Sequence, residues 1–179
     1  MEKALRSLTF VAVFSFLANL GAAGSVAVGE NTPHDNVGMF AGRWESKSAS
    51  KDTAYSKAAS IEAKVACAWS PLGKYLVCDQ LISIPANQLT VFSYNEKEKS
   101  YKYCTFNNPG ESAHCGVYTI EGNTWTFSNS FEEKGKKVVF RTLNIFDSPG
   151  HMTFRSEFSD DGKTWTTTLE GESRRVKER

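Results

Sequence analysis

The sequence predicts an all-β protein, a single antiparallel up-and-down β-barrel of about ten strands. Three observations lead there. Residues 123–175 read as four strands broken by Glu133-Lys134-Gly135, Asp147-Ser148-Pro149-Gly150 and Asp160-Asp161-Gly162, each break supplying a Gly for positive φ or a Pro with φ already set. The runs between them are rich in Val, Phe, Thr and Trp, which suit a pleated, half-buried surface. The connections upstream are short as well, which imposes antiparallel neighbours, and a long meander removes its exposed edges by closing on itself.

Taken in order, the chain opens with Lys3 and Arg6, an apolar run from Leu8 to Leu20 and the small residues GAAGSVA. This is the layout of a secretory signal peptide, residues 1–23, with Ala23 or Ala27 satisfying the small-residue rule for cleavage. The run is shorter than the about 20 apolar residues of a membrane anchor, so the sequence predicts an exported, periplasmic or secreted protein without an anchor. Residues 24–39 form a polar linker interrupted at Asn31-Thr32-Pro33, with a short helical turn from Asp35 to Phe40, Asp35 as its cap, and Met39 and Phe40 plugging something apolar.

The barrel domain spans 40–176. Gly42-Arg43-Trp44 opens the first strand, which runs to about Ser48, and Lys47 to Ser60 reads as a loop or a weakly held edge because its residues are polar and small. Ile61, Ala63, Val65, Cys67 and Trp69 then alternate with more polar positions, the pattern of a half-buried strand. Strands follow at Lys74–Ile82, Gln88–Asn95, Ser100–Asn107 and Ala113–Glu121, with Gly122 turning the chain toward Trp125. There is no internal repeat and no room for a second core.

Removing residues 1–23 takes Lys3 and Arg6 from the 21 basic residues and Glu2 from the 20 acidic ones, leaving a formally neutral chain. Such a balance argues against nucleic acid and against an acidic membrane surface as partners. The four cysteines fall into two pairs, Cys67 with Cys78 and Cys104 with Cys115, each eleven apart and each straddling a turn. A register with 69 opposite 76 places 67 opposite 78, and one with 107 opposite 112 places 104 opposite 115, so two hairpin disulfides are favoured. A bridge between the hairpins is the other connectivity open to neighbouring strands.

No pair has Cys-x-x-Cys spacing, and His34, His114 and His151 share no ligand-like interval, so neither a metal site nor a cofactor is called for. A nucleophile elbow, a zinc-protease helix and a phosphate loop are all missing from the sequence. The candidate binding residues are aromatic. Trp69, Tyr103, Trp125 and Phe127 fall on strand faces suited to an apolar pocket. With the apolar side of Trp125, Phe127 and Phe131 facing in, Arg141 shares the parity of Val139, Leu143 and Ile145 on the inner face, and a register of 141 opposite 157 pairs it with Glu157. That pair is either an exposed cross-strand ion pair or an interior charge ready for an anionic head group.

Gly42-Arg43-Trp44 at the first strand and Arg174-Arg175 at the end of the last resemble the calycin (lipocalin-like) pattern. In that pattern a Trp near the closed end packs beneath a basic residue of the C-terminal strand. Leu89–Tyr94, Tyr101 with Tyr103, Ile120–Trp125, Val139–Thr142, Ser159–Trp165 and Glu170-Gly171 are together similar to a family of small, often exported bacterial proteins of unknown function. The resemblance covers roughly 40–176 and implies a ten-stranded lipocalin- or fatty-acid-binding-protein-like barrel, with no activity, cofactor or catalytic residue to transfer. The expected function is binding of a small apolar or amphipathic ligand, with a polar or anionic end near Arg141, by a monomer or weak homodimer. The alternatives are an enzyme using the same cavity, an isomerase or hydrolase with Glu157 as base, and a filled barrel acting as an interaction module.

Overall fold

The computed structural model describes residues 31–83, 86–107, 112–133 and 135–176; the expected signal peptide lies outside them. A short helix, α1 (Pro33–Gly38), precedes ten strands: β1 (Gly42–Ser50), β2 (Ala59–Trp69), β3 (Leu76–Ile82), β4 (Ala86–Asn95), β5 (Ser100–Phe106), β6 (His114–Glu121), β7 (Thr124–Glu133), β8 (Lys136–Ser148), β9 (His151–Ser159) and β10 (Thr166–Val176). Each strand pairs antiparallel with its sequence neighbour, and β10 returns to pair with β1, which closes the barrel. The predicted fold class is therefore the observed one.

Two ends follow from this topology. At the lower end lie α1, the start of β1, the turn 70–75 and the tight turn between Glu121 and Thr124, where Gly122 takes φ 60°. At the upper end lie the loops 51–58 and 160–165.

The lower end is sealed by the segment that the sequence assigned to a linker. A helix of six residues does not hold itself together in water, and tertiary contacts hold this one. Val37 is fully buried, Asn36 Nδ2 donates to Tyr101 Oη at 2.8 Å, and the His34 ring stacks on Trp69 at 3.9 Å. The cap is Thr32, whose hydroxyl accepts from the Asp35 amide at 3.2 Å while the Asp35 carboxylate accepts from the Thr32 amide at 3.1 Å. Asp35 is thus the third residue of a capping box and not the cap expected from sequence. Its bond from the Thr32 hydroxyl keeps its carboxyl below the usual range.

Phe40 leaves this helix and enters the barrel. Its ring lies 5.2 Å from Phe92 and from Phe146, 6.1 Å from Phe127 and 6.5 Å from Trp125. The Phe40 carbonyl accepts from Trp44 Nε1 at 2.8 Å. Arg175, opposite Trp44 in the register, sits over the Trp44 ring at 4.8 Å and donates through Nη2 to the Met39 carbonyl at 2.9 Å. The Trp-under-basic-residue arrangement implied by the resemblance is present.

Two local expectations need correction. The stretch 47–60 is not all loop: β1 continues to Ser50 and β2 begins at Ala59. Small residues are required there because β10 approaches β1 closely. Any side chain at Gly171 would collide with the Lys47 carbonyl and with Ser48, and Ser46 and Ser173 share a buried hydroxyl contact. Second, the inner face of β8 is the opposite of the one expected. The pairs Trp125↔Asn144, Phe127↔Thr142 and Phe131↔Val138 put Val138, Phe140, Thr142 and Phe146 inside, with Val139, Arg141, Leu143 and Ile145 outside. The two favoured hairpin bridges, Cys67–Cys78 and Cys104–Cys115, are both present, joining directly opposed residues with Cα atoms 4.0 Å apart, and they face opposite ways. Cys67 and Cys78 are buried with the core, whereas Cys104 lies opposite Val91 on the outer face.

At the lower end of β9, His151 ties three strands together. Its Nδ1 lies 2.6 Å from Asp147 Oδ2 and its Nε2 lies 3.0 Å from Glu172 Oε2, and Glu172 also accepts from Arg174 at 2.9 Å. The bonds to Glu172 and then Asp147 raise the His151 pKa.

Three outcomes are expected. Phe40→Ala should cost about 3–5 kcal/mol, the range for emptying a packed aromatic site, read as a lower urea midpoint; an unchanged midpoint would show that Phe40 does not seal the barrel. Non-reducing peptide mapping should recover Cys67 linked to Cys78 and Cys104 linked to Cys115, and Cys104→Ala with Cys115→Ala should lower stability by about 2–3 kcal/mol, as loop closure of this size predicts. Because the His151 pKa rises on folding, its contribution is complete below its unfolded value of about 6.5 and fades as pH climbs through the folded value. Melting curves of His151→Gln should therefore fall furthest below wild type near pH 6 and converge toward pH 9, and a gap independent of pH would exclude the latch.

Candidate functional site

The plug fills only the lower part of the barrel. Above it lies a pocket of about 340 Å3 that opens to solvent, bordered by Tyr103, Phe127, Asn129, Phe131, Phe140, Arg141, Thr142 and Ser156, with Asn129 and Phe131 exposed. This falls within the range of small-molecule sites, about 300–1,000 Å3. Each wall residue is placed by strand alternation: β7 sends Phe127, Asn129 and Phe131 inward, β8 opposes them with Thr142, Phe140 and Val138, and Ser156 of β9 lies beside Thr142.

Tyr103 enters from β5 because its cross-strand partner is Gly116. A Cβ at that glycine would lie 3.0 Å from the Tyr103 ring, so the missing side chain is what lets the phenol lie flat against β6. Burial raises the Tyr103 pKa and keeps the hydroxyl protonated.

The floor is Phe127, which meets the Phe40 plug on one side and stacks on Tyr118 at 4.7 Å. At the mouth, Tyr55 of the 51–58 loop lies edge-on to Phe158, Phe140 and Phe131 at 4.6, 5.3 and 6.0 Å. The polar content is modest: the Asn129 amide, the Tyr103 hydroxyl and a Thr142–Ser156 hydroxyl pair 2.9 Å apart. Just beneath, Tyr118 Oη and Trp125 Nε1 are buried without a protein hydrogen-bond partner among the described residues. Desolvation, then the neighbouring Tyr101, raises the Tyr118 pKa strongly.

The Arg141–Glu157 register is as the sequence predicts, with the two residues directly opposed and Arg141 Nε donating to Glu157 Oε2 at 2.7 Å. Their face is not. Arg141 borders the pocket from its place between Phe140 and Thr142, while alternation directs its side chain outward. There the guanidinium lies 3.7 Å from the Trp165 ring centre. Glu157 Oε1 meets a second guanidinium, Arg155 Nε, at 3.1 Å, so both carboxylate oxygens are engaged. These side chains cover the carboxylate, which explains a buried glutamate on an outer face.

Trp165 is held in position by the preceding loop. Asp161 Oδ1 accepts from the Lys163 and Thr164 amides, both at 2.7 Å, and from Ser159 Oγ at 2.9 Å. The Thr164 amide first, then that of Lys163, holds the Asp161 carboxyl far below the usual range.

Of the residues singled out from sequence, Tyr103 and Phe127 come together in the pocket. Trp69 stacks on His34 at the lower end, and Trp125 belongs to the plugged stack, 4.6 Å from Phe146. Arg141 and Glu157 form the outer ion pair. The doubly engaged Glu157 is not placed to act as a base on anything in the pocket. Sequence reading put Phe131 on the inner face without naming it as a binding residue, and it missed Asn129, Phe140, Thr142 and Ser156. Counting pairs outward from the Gly135 turn, with Phe131 held inside, would have found the two on β8.

A second concavity, about 520 Å3, crosses the lower strands β1 to β3 past Arg43, Glu45, Lys64, Asp79 and Leu81. Its charges of both signs are an ordinary solvated surface.

A scan against protein-family models finds no match to this chain, and a search of curated proteins finds none. Solved structures do match in fold. Rv2717c from M. tuberculosis is similar with a TM-score of 0.55 at 12% identity, covering 82% of this chain and 99% of its own. The S-type phycobiliprotein lyase CPES from Guillardia theta has a TM-score of 0.55 at 11% identity, covering 84% of this chain and 96% of its own. At such identities the likeness concerns the fold alone, and the fold is a lipocalin-like closed barrel.

Proposed function

We propose that this protein is an exported barrel that binds a small, largely apolar ligand in the upper pocket, with Tyr103, Phe127, Phe131 and Phe140 as its aromatic wall. The observation that carries this reading is the hollow above the Phe40 plug. Four aromatic side chains border this space, held in place by contacts with one another, so the lining is largely apolar and already positioned. Binding is driven by apolar burial at about 25 cal/mol per Å2, less the costs of immobilising the ligand. Asn129 and the Thr142–Ser156 pair orient its polar end. Two disulfides suit an oxidising compartment and support export. The lyase among the structural neighbours is in keeping with small-molecule chemistry on this fold, though fold does not fix function.

The reading is tested with Nile red, a neutral dye that brightens in apolar surroundings. Wild type should bind it saturably, and Asn129→Phe, which puts a ring into the hollow, should weaken binding by about tenfold or more while circular dichroism stays unchanged. Equal dye affinity in a folded Asn129→Phe would place the dye elsewhere and remove the pocket as the site. Native mass spectrometry of protein purified from its own host should show an adduct that Asn129→Phe lacks.

A further inference from the structure

The expectation of an anionic ligand rested on a guanidinium inside the barrel. With Arg141 outward, the chemistry of the pocket changes. Resting on the binding reading above, we infer that the pocket selects uncharged ligands and rejects their carboxylates: its ligand is a neutral aromatic or alicyclic molecule bearing a hydroxyl, carbonyl or amide.

Consider first what an anion would meet. The inward side chains bordering the pocket are Tyr103, Phe127, Asn129, Phe131, Phe140, Thr142 and Ser156, none of which carries a formal charge. The nearest cation along the wall, Arg141, is committed on the other face to Glu157 at 2.7 Å and to the Trp165 ring at 3.7 Å. Turning it inward would strand a buried glutamate with Arg155 alone. Arg175 shares the inner parity of β10, but it lies below the plug, over Trp44 and bound to the Met39 carbonyl, with the Phe40 stack between it and the pocket. His114 has inner parity opposite Thr105 but stands exposed near the upper rim of β6. A carboxylate held against these side chains would therefore give up water contacts without gaining a cation in exchange.

A neutral polar group meets suitable partners. Asn129 offers two N–H donors and an acceptor. Thr142 and Ser156, bonded to each other at 2.9 Å, retain between them one hydroxyl proton and several lone pairs. The Tyr103 phenol, kept neutral by burial, donates or accepts as the ligand requires. The walls are flat rings: Phe131 and Phe140 stack at 5.6 Å with 23° between their planes, and Tyr103 meets Phe127 edge-on at 5.3 Å. Rings held in these fixed orientations offer flat and edge contacts to a planar ligand.

The test uses one skeleton in two charge states, 2-naphthamide and 2-naphthoate, as competitors for Nile red at the same pH and ionic strength. The amide should displace the dye from wild type at a concentration about tenfold or more below that needed by the carboxylate. Equal or stronger displacement by the carboxylate overturns the inference, and so does failure of the amide to displace dye that Asn129→Phe has shown to be in the pocket. Absence of pocket-bound dye, in contrast, is a failure of the binding reading itself, so the two outcomes are separable. Arg141→Met supplies an independent arm. The amide-to-carboxylate ratio should stay within about twofold of wild type, because the guanidinium does not face the ligand. A selective loss of carboxylate binding would place Arg141 at the site and overturn the inference. Should that variant fold poorly, Trp165→Leu removes the ring that holds the guanidinium and is read by the same ratio.

Discussion

A ten-stranded barrel encloses more space than its own inward side chains fill, and this structure depends on how one end of that space is occupied. The occupant comes from outside the wall. Phe40 inserts among Phe92, Trp125, Phe127 and Phe146, and its carbonyl fixes the Trp44 indole, over which Arg175 lies. First strand, last strand and pre-strand segment are thereby joined at one point, which is also where β1 and β10 must meet for the barrel to close. Closure and plugging are the same event in energetic terms: without the ring, the aromatic stack loses its centre just where the sheet has its seam.

How much of this the sequence discloses depends on whether its apolar pattern has one face or two. On β2, where Ile61, Ala63, Val65, Cys67 and Trp69 alternate cleanly with Glu62, Lys64 and Ala66, the inner face is legible. The hairpin disulfides are legible too, because two cysteines at equal distances from a turn fall opposite each other whichever face they occupy. Which face cannot be read from that symmetry, and the two bridges take different ones. On β8 the run Val138-Val139-Phe140-Arg141-Thr142-Leu143 is apolar at both parities. Both parities are half-buried because the outer face of β8 is covered as well, Arg141 by Trp165 and by its partner Glu157. Alternation fails as a guide wherever a sheet is covered on both sides.

The same cover explains why the charged pair misleads. Opposite charges at matching register suggest a buried functional pair, and Glu157 is indeed buried. Its burial comes from the Arg141 and Arg155 guanidinium groups on its two oxygens, and the 160–165 loop, which Asp161 locks through backbone amides, sets Trp165 over the first of them. Register is a property of the turn at Ser148 and Gly150, and the sequence carries it locally. The inside-outside choice is set by β7 through Phe127 and Phe131 and by the loop after β9, both remote in sequence, and no window around Arg141 contains that information.

The two ends of the barrel thus have opposite physical demands, and Phe127 serves both. Toward α1 it completes an aromatic stack, and toward β8 and β9 it is the floor of the pocket. Tyr118 and Trp125 sit on the plugged side of that floor with polar atoms that no protein group among the described residues satisfies. A ligand that stops at Phe127 leaves those groups undisturbed. On the proposed reading, the aromatic walls above it supply contact area and the few uncharged polar groups set orientation, the division of roles that a neutral ligand requires and an anion does not.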